Sequence, residues 1–468
     1  MKVVIIGAGK LGYKLAESMI QEDIDVTLID NNPNVLDRIN EHIDVLTIEA
    51  NGIDIRVLKE IDIKTCDILV ATTDSDETNT VICLLAKKLG CKQTIARIRN
   101  PEYMKQLDFI KSEMGIDLIV NPDLDTAKFI EKFLLKQYLF YTGEFASGKV
   151  KIIDYNIGHN LDLVGKKLKD LEGFANLLIA AISRDGNIII PHGDTELIEY
   201  DVIYVMGADE HISEFSNRFN FGKSNKEIEN VMILGGSNIG YYLSKALTKS
   251  KISVRLIEID KTRATELSNK LDDVLVIHGD GTDFNLLDEE LLGSMDAFIG
   301  TTGFDEQNLL MALVAKQEGV NKCIAKISRQ NYTKVIDRLE IDAALNPIYI
   351  TASNILKYIR GGKVISVSLL IGGNGEVTEL IVGKDSPFIN KPLSDLNLPK
   401  GIIIGAIVRN GKVTIPKGNS IIEADDRIVV FCLTEDTLTL KKFFMSKKGG
   451  ILNELWNRDK SSRNSSNN

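Results

Sequence analysis

The chain opens on an apolar run of strand length, Lys2-Val3-Val4-Ile5-Ile6, which enters a glycine-rich turn, Gly7-Ala8-Gly9-Lys10-Leu11-Gly12. Apolar residues at helical spacing follow (Leu15, Ala16, Met19, Ile20), and a second apolar run, Val26 to Ile29, ends on Asp30. The alternation continues. Helical patterns lie at Val35 to Ile39, Ile55 to Ile61, Glu77 to Leu89 and from Glu102, and strand patterns at Val45 to Ile48, Ile68 to Ala71, Thr94 to Ile98 and Leu118 to Val120, the last stopped by Asn121-Pro122. Strands and helices alternating at this length predict an α/β unit, a six-stranded, doubly wound parallel sheet of Rossmann type.

A helix from about Phe129 to Lys136 leads away, and the texture changes to short strands: Lys149 to Asn156, Leu177 to Ser183, Asn187 to Ile190 and Val202 to Met206. Turn residues separate them at Asp185-Gly186-Asn187 and His192-Gly193-Asp194. This is a small α+β module.

The chain then repeats itself. Val231-Met232-Ile233-Leu234 and Gly235-Gly236-Ser237-Asn238-Ile239-Gly240 match the opening 228 residues on, and Glu258 stands 228 after Asp30. Gly279-Asp280-Gly281 answers Ala50-Asn51-Gly52, the run from Thr301 and Thr302 to Asn308 answers Thr72 to Asn79, Lys326 answers Arg97, and Asn346-Pro347 answers Asn121-Pro122. The small module recurs too, with Ile415-Pro416-Lys417-Gly418 against Ile190-Pro191-His192-Gly193. The expected architecture is a tandem duplication: Rossmann domains over 1–125 and 229–350, α+β subdomains over 138–222 and 363–446, and a polar tail over 447–468. A repeat this long is a duplication rather than a solenoid, whose units run to about 20 to 50 residues. In the tail, Ile451, Leu452, Leu455 and Trp456 fall at helical spacing, either as a turn of helix on its own domain or as a contact for a partner.

The candidate chemistry lies in the turns. Gly7 permits the sharp exit from the strand, Gly9 lets a pyrophosphate approach the backbone, and Gly12 lets the helix lie close on the sheet. Phosphates would sit at the helix N-terminus, where free amides and the macrodipole favour anions. Asp30 stands where a carboxylate can accept bonds from both hydroxyls of an adenosine ribose and repel a 2′-phosphate, which favours NAD or a simple adenine nucleotide over NADP. Ligands of such sheets bind beyond the carboxyl ends of the strands, and Asn51, Thr73, Asp74 and Arg97 stand at those ends. Asp74-Ser75-Asp76-Glu77 also has the spacing of a capping box, with Asp74 expected to take the free amides. Arg97 suits either a bidentate phosphate contact or a surface ion pair.

Composition narrows the class. Hydrophobic residues make up 44% and charged residues 26% of 468, and the net charge is −10. No basic stripe favours nucleic acid. No apolar run approaches the roughly 18 residues of a membrane span, and an opening strand at Lys2 leaves no room for a signal peptide, so a cytoplasmic protein is expected. Five cysteines and five histidines are dispersed without disulfide or metal-ligand spacing.

With the opening Met-Lys-Val-Val-Ile-Ile-Gly-Ala-Gly-Lys-Leu-Gly, Thr-x-x-Asp-Glu-x-Asn after the fourth strand, Ala-Arg-Ile-Arg-Asn-Pro-Glu-Tyr after the fifth, and the whole arrangement doubled, the chain resembles the TrkA family. These are peripheral nucleotide-binding subunits of bacterial and archaeal Trk potassium uptake systems, built from RCK (KTN) domains. The resemblance implies a regulator on the cytoplasmic face of a potassium-translocating Trk membrane subunit, a homo-oligomer (a tetramer forming a ring of eight RCK domains), and NAD(H) or ATP/ADP as ligand. It places nucleotide contacts at Gly7, Gly9, Lys10, Leu11, Asp30, Thr73, Asp74 and Arg97, and in the second copy at Gly235, Gly236, Ser237, Asn238, Ile239, Glu258, Thr301, Thr302 and Lys326. Asn51 stands where the family more often has an aspartate near the adenine, as the second copy does at Asp280, and Ser237 replaces a glycine. The rival reading, a NAD-dependent oxidoreductase, needs a proton donor or acceptor against the nicotinamide, and the small modules offer no concentrated set of His, Lys, Tyr or Cys for it.

Overall fold

A computed structural model describes residues 1–444 other than 105, 136–142, 159–161, 173, 175, 219–226, 330–331, 333–338, 340, 362–363, 370–374, 385 and 387. The expected tail helix around Trp456 lies outside the described residues. Strands β1 (Lys2–Ile6), β2 (Asp25–Asp30), β3 (Leu46–Glu49), β4 (Ile68–Ala71), β5 (Gln93–Arg97) and β6 (Leu118–Val120) form one parallel sheet in the order 3-2-1-4-5-6. That is the doubly wound order the alternation predicted. Its central strands are unbroken apolar runs because helices cover both faces, and Val3, Val4, Ile5, Leu69, Val70 and Ala71 are wholly buried.

An antiparallel sheet follows, made of β7 (Gly143–Phe145), β8 (Val150–Asn156), β9 (Leu177–Arg184), β10 (Asn187–Ile189) and β11 (Val202–Ala208) in the order 10-9-11-8-7. The sequence pattern did not predict β7, a three-residue edge strand too short to show a period. The second half repeats both sheets. Strands β12 (Asn230–Leu234), β13 (Ser253–Glu258), β14 (Val274–His278), β15 (Ala297–Gly300), β16 (Lys322–Lys326) and β17 (Ala343–Leu345) run 14-13-12-15-16-17, all parallel. Strands β18 (Val364–Leu369), β19 (Gly375–Ile381), β20 (Ile402–Arg409), β21 (Lys412–Thr414) and β22 (Arg427–Leu433) run antiparallel in the order 18-19-22-20-21. The two small sheets share a core, in which Val150, Ile152, Tyr204 and Met206 meet Val377, Val408, Val429 and Phe431.

The helices that leave the two large sheets are exchanged. Helix Pro122–Leu135 follows the first sheet in sequence, yet Ala127, Ile130, Phe133 and Leu134 are buried among Val231, Ile233, Ile239, Leu243 and Leu247 of the second. Helix Pro347–Arg360 reciprocates, burying Tyr349, Ala352, Ile355, Leu356 and Ile359 among Val3, Ile5, Leu11, Leu15 and Met19. Each starts on an Asn-Pro pair. The Asn121 carboxamide oxygen accepts from the amides of Asp123 and Leu124, and that of Asn346 from Ile348 N.

The far ends of both helices are pinned by the opposite half. Lys322, buried at the start of β16, donates to the carbonyls of Phe133 (3.1 Å) and Leu134 (3.3 Å) at the helix C-terminus. Burial pulls its pKa down to about 8, against the pull of Asp342. Between pH 8 and the pKa of an exposed lysine, about 10.4, the unfolded chain therefore binds the proton that the native state has released, and stability rises with pH. Relative to Lys322→Met, the wild type should gain about 1–2 kcal/mol between pH 8 and pH 9.5, read from denaturant midpoints at the two pH values. A constant difference would mean that Lys322 titrates like an exposed lysine.

Candidate functional site

Each glycine turn is built by contact. Gly7 has φ +103°, and a Cβ there would lie 2.7 Å from the backbone of Thr72 and Thr73. A Cβ on Gly12 would stand 2.0 Å from the Gly7 carbonyl oxygen, so the helix Lys10–Ile20 can lie this close to β1 only without one. Gly9 is the opposite case. Among the described residues, its chain neighbours aside, no atom comes within 4 Å of where its Cβ would be, and no side chain caps the helix it begins. First-turn amides and open space therefore coincide, which suits the phosphates of a nucleotide.

Asp30, at the end of β2, is fixed beside this turn. Its Oδ2 accepts from Ala8 N (2.6 Å) and its Oδ1 from Asn32 N (2.9 Å). Glu258 repeats the arrangement with Gly236 N (2.6 Å) and Asp260 N (2.8 Å). The longer side chain crowds the turn, since a Cβ on Gly236 would lie 2.8 Å from Glu258 Oε2 and 2.4 Å from Leu267, and glycine replaces Ala8 there for that reason. In the second turn Ser237 caps its own helix, its hydroxyl accepting from Gly240 N (3.3 Å). An amide that stays uncapped in the first copy is thus taken in the second.

The wall beyond β4 and β5 is held by an asparagine that the site reading omitted. Asn79 accepts from the amide and hydroxyl of Thr73 (2.8 Å each) and donates to the carbonyls of Thr73 (3.1 Å) and Arg97 (2.9 Å). Asn308 does the same for Thr302 and Lys326. Their recurrence at matching places in both copies was the available signal. Arg97 donates to Thr73 O (2.5 Å) and lies 3.3 Å from Asp74, while its Nε is buried without a partner among the described residues. Burial, with Arg99 nearby, pulls its pKa down. Lys326, likewise lowered by burial, donates to Thr302 O (2.7 Å).

Several expected roles shift. Ser75, not Asp74, caps helix Asp76–Lys88, its hydroxyl accepting from Thr78 N, and Asp74 stands fully exposed. Thr301 is wholly buried and donates to Gly235 O from beneath the turn, as its counterpart Thr72 does to Gly7 O, so neither hydroxyl faces a ligand. Leu11 and Ile239 turn their side chains into the cores, leaving only backbone at the site. Asn51 and Asp280 close local turns onto Ile53 N and Thr282 N. Lys10 and Gly9 are exposed, Asn238 half-buried.

Asp76 and Asp305 were also overlooked. Each is buried and takes two amides, Asp76 those of Arg99 and Asn100, Asp305 those of Ser328 and Arg329, and in each the other carboxylate oxygen has no partner among the described residues. Asp123 joins the halves. Its carboxylate accepts from Asn238 (3.3 Å), and burial raises its pKa against the nearby charges of Arg99, Arg97 and Lys326. Nothing in the sequence marked it.

Among the described residues no three His, Cys, Asp or Glu are placed to hold a metal ion, and no helix is long and apolar enough to cross a membrane. All five cysteines are buried thiols.

Two Rossmann sheets with matched glycine turns and carboxylates, each followed by a small antiparallel sheet, define a protein of tandem RCK architecture. The chain belongs to the TrkA family. The TrkA-N domain model matches residues 3–122 and 231–347, and the TrkA-C domain model 152–220 and 377–445. The Trk system potassium uptake protein TrkA homolog 1 of Methanosarcina mazei is 34% identical over 452 residues, 95% of this chain and 100% of that protein. Trk system potassium uptake protein TrkA of Vibrio alginolyticus is 33% identical over 444 residues, 93% of this chain and 96% of that one. Among solved structures, the GsuK channel bound to NAD matches with a TM-score of 0.55 at 16% identity, covering 94% of this chain and 78% of that one. That likeness is one of fold.

Proposed function

We propose that this chain is the cytoplasmic regulatory subunit of a potassium uptake system, binding an adenine nucleotide or dinucleotide, NAD(H) or ATP/ADP, in its glycine turns and passing the occupancy to a Trk membrane subunit. The observation that carries this reading is the first turn, with Gly9 open, the helix uncapped and Asp30 fixed at its edge, in a chain similar end to end to potassium uptake proteins. Gly7, Gly9, Lys10, Asp30, Thr73, Asp74 and Arg97 would hold the nucleotide, and the counterparts from Gly235 to Asn238, with Glu258, Thr302 and Lys326, a second. The Ser237 cap makes the second site the weaker. The relatives carry potassium-uptake names rather than those of dehydrogenases, which favours regulation over hydride transfer.

Assembly into a homo-oligomer, a tetramer forming a ring of eight RCK domains, fits the surface. Exposed apolar positions recur in register in both copies: Leu46 with Leu275, Ile55 with Phe284, and Val81 with Leu310. Light scattering on the full chain measures the assembly.

A nucleotide shifts such a ring only by its differential affinity for two conformations, so two nucleotides sharing one site can act oppositely. Asp30→Ala should weaken binding to the first site by about 1.5–3 kcal/mol through loss of charge-assisted bonds to ribose. Potassium flux through the reconstituted membrane partner, compared with ATP, ADP, NAD and NADH for wild type and Asp30→Ala, tests the regulatory step. Flux indifferent to every nucleotide would end this reading.

A further inference from the structure

The helix Lys10–Ile20 carries the first glycine turn at one end and a buried charge at the other. Glu22 closes it, its amide donating to Met19 O (3.0 Å), and the Glu22 carboxylate receives Arg360 from the end of the exchanged helix Pro347–Arg360. The guanidinium is fully used. Nε (2.9 Å) and Nη2 (2.6 Å) donate to Glu22 Oε1, while Nη1 and Nη2 (2.9 Å each) fork onto the two oxygens of Glu376 on β19. The Thr378 hydroxyl donates to Glu376 as well (2.9 Å). One arginine thus ties the far end of the glycine-turn helix to the second small sheet.

Apolar packing runs alongside. Val364, Val367 and Leu369 of β18, the edge strand paired with β19, lie in one core with Leu11, Leu15 and Met19 of that helix. The Leu369 amide donates to Ser353 Oγ of the exchanged helix (3.0 Å). The other half of the molecule is built without these connections. Ser250 stands in the place of Glu22, an exposed Leu135 in that of Arg360, and Lys151, which pairs with Asp209 of its own module, in that of Glu376. Among the described residues, the core of the second Rossmann unit holds no residue of the first small sheet.

Phosphates at the uncapped first turn act along the axis of this helix. Its other end cannot yield alone, because parting Glu22 from Arg360 leaves buried charge without its partner, which is strongly unfavourable, so the joint moves as a unit. Resting on the nucleotide assignment of the first site, we propose that the Glu22–Arg360–Glu376 joint is a regulatory device that couples occupancy of the first turn to the second small sheet, and that the second turn has no equivalent path. Arg360 is a positioning residue here, remote from the ligand and acting through the helix.

The test is hydrogen exchange followed by mass spectrometry on the full chain, with and without saturating ADP, the portion that ATP and NAD share. Peptides over residues 7–13 read occupancy of the first turn, and peptides over β18 and β19 the response of the sheet. In the wild type ADP should slow exchange in both, in β19 by about fivefold or more, the lower end of a coupling of this kind. Glu22→Gln, which removes one anion, and Arg360→Lys, which keeps the charge but loses the fork, should keep the gain at the turn and lose it in β19. Glu379→Gln removes an equally buried carboxylate of the same strand, bound to Ser366 and Arg427 and outside the joint, and should respond like the wild type. Three results would overturn the proposal: no gain in β19 of the wild type, a loss shared by Glu379→Gln, or a gain that survives both joint variants, as stabilisation of the whole fold by mass action would. If ADP leaves the turn itself unprotected, the nucleotide assignment of the first site fails, and the proposal with it.

Discussion

Phe133→Ala is expected to cost about 3–5 kcal/mol, and to weaken chiefly the half of the molecule to which Phe133 does not belong in sequence. The ring is 1% exposed, packed in the core of the second Rossmann unit, with the Lys322 ammonium 5.3 Å from its centroid. Truncation leaves a cavity that Val231 of β12 and Leu243 of the helix Asn238–Lys249, in the same core, cannot fill without leaving their own elements. Hydrogen exchange followed by mass spectrometry separates the alternatives. Amides of β12 and β13 should lose protection before those of β1 and β2. If β1 and β2 open first, the helix is not exchanged as described.

Arg360→Met should be comparably damaging, by about 3–5 kcal/mol, because it strands two buried carboxylates. Arg360 ends the second exchanged helix and binds Glu22 of the first Rossmann unit (2.6 Å) and Glu376 of the last small sheet (2.9 Å), all three side chains 6% exposed or less. The arginine pKa is raised by both carboxylates against its own burial. Without the guanidinium two carboxylates stay buried without the cation they shared, and burial of a carboxylate that has lost its cation disfavours its charged form. Stability of the variant then falls as pH rises, and its deficit against wild type should shrink between pH 7 and pH 5. Urea midpoints at both values check this. A deficit independent of pH would show that lost packing, not charge, carries the effect.

How far the sequence could be read depended on how local each signal was. Strand runs, glycine turns and the terminal carboxylate each declare themselves within a few residues, and the right-handed crossover rule then leaves little choice of strand order. Asp74 and Ser75 both offer a capping oxygen, so no pattern could choose between them, and the structure selects Ser75. The exchanged helices were illegible for a deeper reason. Periodicity in Pro122–Leu135 announces a buried face but not its partner, and two copies of one fold offer equally apolar partners. Arg360 was invisible for a similar reason, since its contact with Glu22 joins residues distant in sequence.

The exchange of helices also bears on how the two halves could diverge. A single repeat standing alone would have to borrow the missing helix from another molecule, and dilution would dissolve the arrangement. Covalent linkage replaces that bimolecular step by one with an effective concentration on the order of millimolar for a short tether, so completion no longer depends on how much protein is present. It also lifts a symmetry constraint. In a homodimer every substitution appears on both sides of the axis, whereas here Leu135 and Arg360, or Arg97 and Lys326, can be altered one at a time. The fused chain is a permanent heterodimer of its own two halves, free to keep one turn open and cap the other.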